Sequence, residues 1–453
     1  MTSAQASQGI TAQARRRVLF ATTIGTAVEW YDYFLYAAAA GLVFKHLFFS
    51  EVEGSLALIL SYFTIGLSFL FRPLGAFLAG HFGDRYGRRV VLMITLFGMG
   101  IATTLIGVLP TYESIGIAAP LLLILLRIIQ GISAGGEWGG AVLLSVEHAP
   151  TDKRGFFGSF PQMGVPAGLL LSSGVLALMS NIAPGDAFLE WGWRVPFLLS
   201  IVLVGIGYLV RMRVEESPVF TEIEQRKKTS QAPIGALFRT STPLVLVAAL
   251  LFAGNNAVGY MTAGGYVQNY ASDPDGAIGL ERSTVLWAVT ASAVAWLITT
   301  GFAGWISDRW GRRTTYVVGY LLQLVGAVSL FPLINIGTPA MLTAGLLLLT
   351  VGLGLTYGQQ SATYAELFPA SMRFSGVSIS YAIGAILGGA FAPMIAQWLY
   401  GATGGTGAVS AYLALMTIVG LCAALVLRDR TGIPLGPDHE EEQAVSPLRF
   451  HKV

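Results

Sequence analysis

The sequence predicts an all-α membrane protein: twelve transmembrane helices in two pseudo-symmetric six-helix bundles. Three observations carry that prediction. Of the 453 residues, 54% are hydrophobic and only 11% are charged, where a soluble globular chain carries about 25% charged residues. Apolar runs long enough to cross a bilayer recur along the whole chain. One loop motif occurs twice, each time after a run, and divides the chain into halves.

A spanning helix needs roughly 20 apolar residues. Twelve runs meet that need: 18–43, 56–80, 90–109, 117–146, 157–180, 194–211, 242–268, 284–305, 314–335, 339–364, 374–399 and 408–427. The stretch Met1 to Thr11 is polar, and the run after it is too long for a signal-peptide core and lacks a small-residue cleavage site, so it is expected to remain as the first span. Short charged or Gly/Pro-rich loops separate the runs. The longest interruption, 212–241, opens with Ser217-Pro218, a cap followed by proline at the first helical position. Val219, Phe220 and Ile223 then alternate with Glu222, Glu224, Arg226, Lys227 and Lys228, as in an amphipathic helix lying on a membrane surface. The expected divisions are a cytoplasmic tail (1–17), a first bundle (18–211), a cytoplasmic linker (212–241), a second bundle (242–427) and a second cytoplasmic tail (428–453). That last tail is polar and expected to be flexible.

Positive residues orient the chain. With the N-terminus inside, 22 of the 27 Lys and Arg face the cytoplasm, while Lys45, Arg194 and Arg282 lie outside and Arg72 and Arg127 sit within runs. Both termini are therefore expected in the cytoplasm of a multi-pass cell-membrane (inner-membrane) protein. Nothing in the charge pattern points to nucleic acid, the sequence fixes no oligomeric state, and the single cysteine, Cys422, excludes an intrachain disulfide.

The repeat sets the two-bundle division. Gly80-His-Phe-Gly-Asp84-Arg85-Tyr-Gly87-Arg88-Arg89 follows the second run, and Gly304-Trp-Ile-Ser-Asp308-Arg309-Trp-Gly311-Arg312-Arg313 follows the eighth. A second echo pairs Glu147-His-Ala-Pro150 through Arg154 with Glu366-Leu-Phe-Pro369 through Arg373. Two echoes at nearly one offset mean two six-helix halves. The aspartates are placed to cap neighbouring helix N-termini, with arginines paired to Glu147 or Glu366 as ties at the cytoplasmic face. The gate set is thus Asp84, Arg85, Arg88, Glu147, Arg154, Asp308, Arg309, Arg312, Glu366 and Arg373. The plainer alternative is that these charges only fix topology.

A charge deep in a span costs about 2.5–3.5 kcal/mol on insertion scales and marks a functional candidate. Five qualify, all in the first half: Glu29, Asp32, Arg72, Arg127 and Glu137. At 1.5 Å per residue, Glu29, Glu137 and Arg72 fall at depths of about 17, 14 and 12 Å, with Asp32 at about 21 Å and Arg127 at about 28 Å. Three carboxylates and two guanidiniums leave a surplus negative charge. Such a buried set takes up one proton readily, and a second then favours an anionic ligand. Asp32, Glu29, Glu137 and Arg127 are the candidates for proton coupling. Substrate contacts are expected from Arg72 and Arg127, from Trp30, Tyr33, Trp138 and Gln162, and from neutral groups of the second half: Asn255, Asn256, Tyr260, Tyr357, Gln360 and Tyr381. Static ion pairing and helix packing are the plainer readings of the same residues. Glycines four apart (Gly131, Gly135 and Gly139; Gly164 and Gly168; Gly384 and Gly388) mark close helix contacts.

The doubled G-x-x-x-D-R-x-G-R-R loop resembles the signature of the major facilitator superfamily. Glu29-Trp30-Tyr31-Asp32, Phe71-Arg72-Pro73-Leu74-Gly75, Arg127-Ile-Ile-Gln130-Gly131, Gly135-Gly136-Glu137-Trp138-Gly139-Gly140, Trp191-Gly192-Trp193-Arg194-Val195-Pro196-Phe197 and Glu216-Ser217-Pro218 narrow the likeness. Together they resemble the metabolite:proton symporters, whose members carry shikimate, 2-oxoglutarate, citrate, or proline and betaine; residues 95–150 look closest to shikimate permeases. The resemblance implies the major facilitator fold, a central site near the midplane and alternating exposure of that site to each side. It also implies symport of protons with a small organic anion, shikimate or a related carboxylate first, with an osmolyte or dicarboxylate carrier as the alternative. An Asp on the first span facing an Arg on the fourth resembles the coupling pair of proton-linked sugar porters. From a different class stands a transport-dead receptor or sensor. An enzyme is not expected: His46, His81, His148, His439 and His451 are scattered without metal-ligand spacing, no nucleotide-binding loop appears, and no cofactor or metal is called for.

Overall fold

In the computed structural model, residues 12–52, 55–86, 88–135, 138–211, 233–263 and 265–449 are described, and these are helical almost throughout. All twelve expected spans are present. The first bundle consists of α1 (Ala12–Ala39, continued by a π-helical turn Ala40–Phe44), α2 (Ser55–Tyr86), α3 (Arg88–Val108), α4 (Ala118–Ala134 and Trp138–Glu147), α5 (Arg154–Ile182) and α6 (Arg194–Arg211). The second consists of α7 (Pro233–Ala263 and Tyr266–Ser272), α8 (Arg282–Trp310), α9 (Arg312–Ile334), α10 (Pro339–Tyr357 and Gln360–Leu367), α11 (Arg373–Ala385 and Ala392–Thr403, joined by a π turn) and α12 (Gly407–Val426). Of the interruption at 212–241, the part 212–232 that would carry the amphipathic surface helix lies outside the described residues.

Ten of these helices are long and apolar enough to cross a membrane, and α3 adds a shorter apolar stretch, Met93–Val108. The exception, α1, carries Glu29, Trp30, Tyr31, Asp32 and Tyr33 in its middle, yet residues 25–44 are buried without a break. Other helices, not lipid, surround it. A polar helix is stable there because its charges find partners inside the bundle, where lipid would supply none.

Close backbone approaches pin the packing, and the same pairs recur six helices later. The Gly131 and Gly135 positions of α4 lie against the Ser68 and Arg72 carbonyls of α2, where an added Cβ would come within 2.3 and 2.1 Å. Gly354 and Gly358 of α10 meet Thr299 and the Thr300 carbonyl of α8 at similar distances. Likewise Gly164 and Gly168 of α5 seat on α1, as Gly384 and Gly388 of α11 seat on α7. This repetition is the pseudo-symmetry that the doubled loop predicts.

The halves meet along two seams. α5 runs against α8, with Gly304 on Ser159 and the Gly155 carbonyl, and with Thr290 donating to Ser173 at 2.9 Å. Across the molecule α2 meets α11, where Phe391 fills the notch left by Gly66 and stacks on Phe63. Among the described residues, contacts join the two halves at both faces of the protein. At the face opposite the doubled loops, Lys45 pairs with Asp273 at 3.2 Å and Tyr62 donates to the Gly265 carbonyl at 3.1 Å, joining α2 to α7. Gly265 has φ +82°, and a Cβ there would lie 2.2 Å from the Ala37 carbonyl. Only glycine fits that break within α7 where it packs against α1.

One expectation is corrected by the structure. The tail after Arg428 is not loose: through Arg449 it folds back onto the face that bears the doubled loops. Arg428 and Arg449 backbone amides pair with Pro447 and Val426, and a short helix (Glu440–Ala444) presents Gln443. Its polar composition misleads because the surface it covers is polar too. Exposed loop amides and carbonyls of α10 and α11 supply the partners that an isolated tail would take from water.

Candidate functional site

The buried charges converge in the first bundle. Glu29, Asp32, Arg72 and Arg127 are each at most 5% exposed, so none is solvated and each depends on protein partners. Glu29 of α1 faces Arg72 of α2 at 3.8 Å, joining two of the three residues expected in one layer. The third, Glu137, lies outside the described residues. The Arg72 guanidinium sits over the rings of Phe69, Tyr33 and Trp30 at 4.6, 5.5 and 5.6 Å, and its Nε has no hydrogen bond. Such a position over aromatic faces holds a cation away from water.

Arg127 of α4 lies on the other side of Tyr33. It stacks over Tyr36 and Tyr33 at 4.1 and 4.5 Å, donates through Nε to the Thr64 carbonyl at 3.3 Å and through Nη1 to Gln130 at 2.9 Å. Its Nη2 is buried with no hydrogen bond among the described residues. One prong of this fork is therefore unspent, and a carboxylate is the group it suits. Asp32 is not its direct partner. That carboxylate accepts from Ser200 of α6 at 2.6 Å and from Thr103 of α3 at 3.0 Å. Sequence reasoning missed Thr103, Gln130 and Ser200, which carry no charge and read as ordinary small polar residues of a span. The Arg127-Ile-Ile-Gln130 spacing, one helical turn, was the available signal.

Tyr260 of α7 reaches into the same cluster, packing edge-on against Tyr33 and Phe69 at 5.7 Å each. Among the described residues, the hydroxyls of Tyr33, Tyr260 and Tyr381 and the Trp30 indole N–H are buried with no partner at hydrogen-bond distance. These are the donors from both halves that the sequence expects near a ligand. Towards the doubled-loop face, Trp138 of α4 stacks on Tyr381 of α11 at 3.6 Å, and Tyr381 on Phe252 at 4.4 Å. Gln162 of α5 accepts from Trp138 and donates to Gln360 and to the Tyr357 carbonyl, both of α10. This stack and amide bridge close the cluster on that side. Asn255 and Asn256, by contrast, spend their amides within the second half, on Thr356 and on the Ala385 carbonyl.

The doubled-loop face holds a second charged group. Asp308, at the end of α8, accepts from the Gly155 and Phe156 amides at 2.8 and 2.9 Å, capping the N-terminus of α5 across the seam. Arg312 grips Glu366 with two prongs at 3.1 and 3.2 Å and holds Asp308 at 2.8 Å. Arg154 reaches Glu366 at 4.0 Å, and Arg373 reaches Glu147 at 3.8 Å, so both of these pairs cross between halves. Arg309 stands apart, exposed and stacked over Trp305. Side chains of Asp84, Arg85 and Arg88 lie outside the described residues. The tail completes this group: Arg154 donates to the Ile433 carbonyl, and Arg373 donates to the Leu435 carbonyl and to Gln443 at 3.0 and 3.1 Å. Arg430 donates to the Leu367 and Gln443 carbonyls; desolvation there lowers its guanidinium from the usual value while leaving it charged.

Removing the carboxylate at the centre of this group has a defined expected result. Breaking a buried ion pair by deleting one partner costs about 3–5 kcal/mol. Glu366→Gln is therefore expected to open the α5/α10 seam on the doubled-loop face. Ser361, buried against Gly158 there, serves as the reporter. In a Cys422→Ser background, thiol labelling of Ser361→Cys should accelerate by about tenfold or more. An unchanged labelling rate would show that Glu366 serves only to fix topology.

Comparison with known proteins matches this geometry. The model of the Major Facilitator Superfamily matches residues 22–381 and 275–452. The inner membrane metabolite transport protein YhjE of Escherichia coli K12 is 41% identical over 418 residues, covering 92% of this chain and 94% of its own. The shikimate transporter of the same organism is 37% identical over 420 residues, covering 91% and 94%. A proline/betaine transporter of Salmonella typhimurium LT2 is 33% identical over 430 residues, covering 93% and 85%. Among solved structures, the proton:xylose symporter XylE bound to 6-bromo-6-deoxy-D-glucose shares the fold at a TM-score of 0.74 and 18% identity, over 96% of this chain and 99% of that one. With twelve helices in two repeated halves, a desolvated cluster at their centre and relatives that carry metabolites across the length of the chain, the protein belongs to the major facilitator superfamily and is a multi-pass membrane transporter of metabolites, not an enzyme.

Proposed function

We propose that the protein is a proton-coupled symporter of a small organic anion, shikimate or a related ring carboxylate in the first place, working by alternating access. The observation that carries this reading is the buried cluster of two carboxylates and two guanidiniums on α1, α2 and α4, with one guanidinium prong left unspent. A desolvated carboxylate exchanges charge for a proton, and a free guanidinium prong takes an anion, so one cluster serves both cargoes. Unpartnered tyrosine hydroxyls from both halves supply neutral donors for the hydroxyls of such a ligand. The relative that carries shikimate over nearly the whole chain agrees with it.

In this reading Asp32 carries the coupled proton, with Glu29 and Glu137 as the other candidates for it, and Arg127 and Arg72 receive the anion. Trp138, Gln162, Gln360, Tyr357 and Tyr381 close over it, and Glu147, Arg154, Asp308, Arg312, Glu366 and Arg373 form the inner gate. The distribution of Lys and Arg supports a cytoplasmic position for the doubled loops and both termini. An osmolyte such as betaine is the second reading, favoured by the rings of Trp30, Tyr33 and Phe69, which suit a quaternary ammonium. Arg72 already occupies their faces, which is why the anion stands first.

Reconstituted into proteoliposomes, the protein should accumulate labelled shikimate only under an inward proton gradient, and an uncoupler should abolish the accumulation. Equal accumulation with the gradient collapsed would overturn symport. Specific shikimate binding with no flux under any gradient would make the chain a receptor. Uptake of betaine or 2-oxoglutarate in place of shikimate would move the substrate to the corresponding alternative.

A further inference from the structure

Asp32 and Arg127 do not touch, yet they are joined. Arg127 Nη1 donates to Gln130 Oε1 at 2.9 Å, Gln130 Nε2 donates to Thr103 Oγ1 at 2.7 Å, and Thr103 Oγ1 donates to Asp32 Oδ2 at 3.0 Å. Every member is buried, Thr103 fully. Thr103 sits at the branch. Its single hydroxyl hydrogen has two acceptors at the same 3.0 Å distance, the Asp32 carboxylate and the Met99 carbonyl one turn back on α3. It can serve only one of them at a time.

We infer that Thr103 and Gln130 are positioning residues that transmit the charge state of Asp32 to Arg127. With Asp32 ionised, the Thr103 hydrogen points at the carboxylate. The chain Gln130 to Thr103 to Asp32 then runs in one direction, each bond polarising the next, and the Gln130 carbonyl oxygen holds Arg127 firmly. When Asp32 takes up a proton, its new O–H donates to Thr103 Oγ1, and the Thr103 hydrogen turns to the Met99 carbonyl. Thr103 now accepts from both sides, the chain loses its common direction, and the Gln130 grip on Arg127 weakens. The proton stays on the Asp32 carboxyl throughout; only hydrogen-bond directions change. Arg127 is released to a ligand carboxylate when, and because, the proton has bound.

Other groups face Asp32 as well. Glu29 and Tyr31 share its helix and act on it, the Arg72 and Arg127 guanidiniums of α2 and α4 are turned to Glu29, Tyr33 and Gln130 instead, and the Arg194 guanidinium of α6 is spent on the Gly107 and Leu109 carbonyls. The titratable residues of α3, Arg88 and Arg89, stand at its start, and α5 carries only Arg154, at its own start. Among the described residues none offers a second bonded path from Asp32 to Arg127. Ser200 binds the other carboxylate oxygen and leads away from the chain.

The inference rests on Asp32 titrating as proposed above, and the test separates the two. Infrared difference spectra between acidic and alkaline buffer are recorded on the full chain in lipid nanodiscs, with its arginines isotope-labelled. Asp32→Asn identifies the Asp32 carboxyl band, and Arg127→Lys identifies the Arg127 share of the guanidinium bands. The expected result is a guanidinium response to Asp32 protonation that is lost in Thr103→Val and Gln130→Leu and retained in Thr103→Ser. Valine keeps the threonine shape, so loss there reports the hydroxyl and not the packing. Amplitudes are compared at full titration, which leaves any change of midpoint aside. An undiminished Arg127 response in Thr103→Val overturns the relay while leaving proton coupling at Asp32 intact. Absence of an Asp32 carboxyl band in the unsubstituted protein removes the proton assignment, and the relay with it.

Discussion

Proteoliposomes bearing Asp32→Asn are expected to exchange labelled shikimate across the membrane at close to the normal rate and to lose gradient-driven accumulation. Asparagine keeps the shape of the carboxyl and can bond to Ser200 and Thr103, but its charge never changes. Each proton carried down a pH difference of about 1.7 units supplies about 2.3 kcal/mol, equivalent to about a 50-fold concentration ratio, so that ratio should fall towards one. Exchange needs only the binding site and the two gates, none of which contains Asp32 in the arrangement described. Normal accumulation in the variant would make Asp32 structural and pass the coupling role to Glu29 or Glu137. Loss of binding altogether would place Asp32 in the substrate site.

The second large effect concerns the guanidiniums. Arg127→Ala and Arg72→Ala should each weaken shikimate binding at least about 30-fold, since truncating one partner of a buried charged contact costs about 2–5 kcal/mol. Lysine separates the two. Arg127 holds Gln130 with one nitrogen and leaves a second free, a planar two-pronged geometry that an ammonium cannot copy. Arg127→Lys should therefore bind as poorly as Arg127→Ala. Arg72 makes a single 3.8 Å ion pair with Glu29, and Arg72→Lys should keep most of the affinity. Equilibrium binding of labelled shikimate to purified protein reads both. Full affinity in the two alanine variants would put the carboxylate elsewhere.

The spans, the two halves and the glycine contacts were legible because each is written locally: apolar length, a repeated loop, and small residues four apart. So was the convergence of Glu29 with Arg72, because a charge inside a span has to find its opposite. That Asp32 and Arg127 do not meet directly could not be read from the sequence, since spacing along a helix says nothing of how neighbouring helices are rotated. Asp32 turns towards α3 and α6, where two hydroxyls satisfy it. For Asn255 and Asn256 the sequence leaves two uses open, since an amide in a span is equally suited to a ligand and to a neighbouring polar group, and here each bonds a neighbour in the second half. At the doubled-loop face, Asp308 capping α5 and Arg312 gripping Glu366 follow the motif closely. Arg309, from the same motif, does not, because it leaves the helix on the Trp305 side.

The folded-back segment after Arg428 ties thermodynamics of the protein's surface to those of its interior. It is bonded to Arg154 in the first half and to Arg373, Glu366 and the Ala370 amide in the second, so it fits only while these stand close together. Linkage is reciprocal: whatever free energy the segment contributes to this closed arrangement, a ligand favouring the closed arrangement returns to the segment. Slower amide exchange between 430 and 444 would then be the outward sign of a filled site, read at a distance and without a label on the cargo. By the same reciprocity an antibody fragment that captures the segment in its released form must lower the affinity of any cargo that needs the closed form. In the proposed cycle, the attachment of this short surface peptide would thus report whether the two halves stand together on its face.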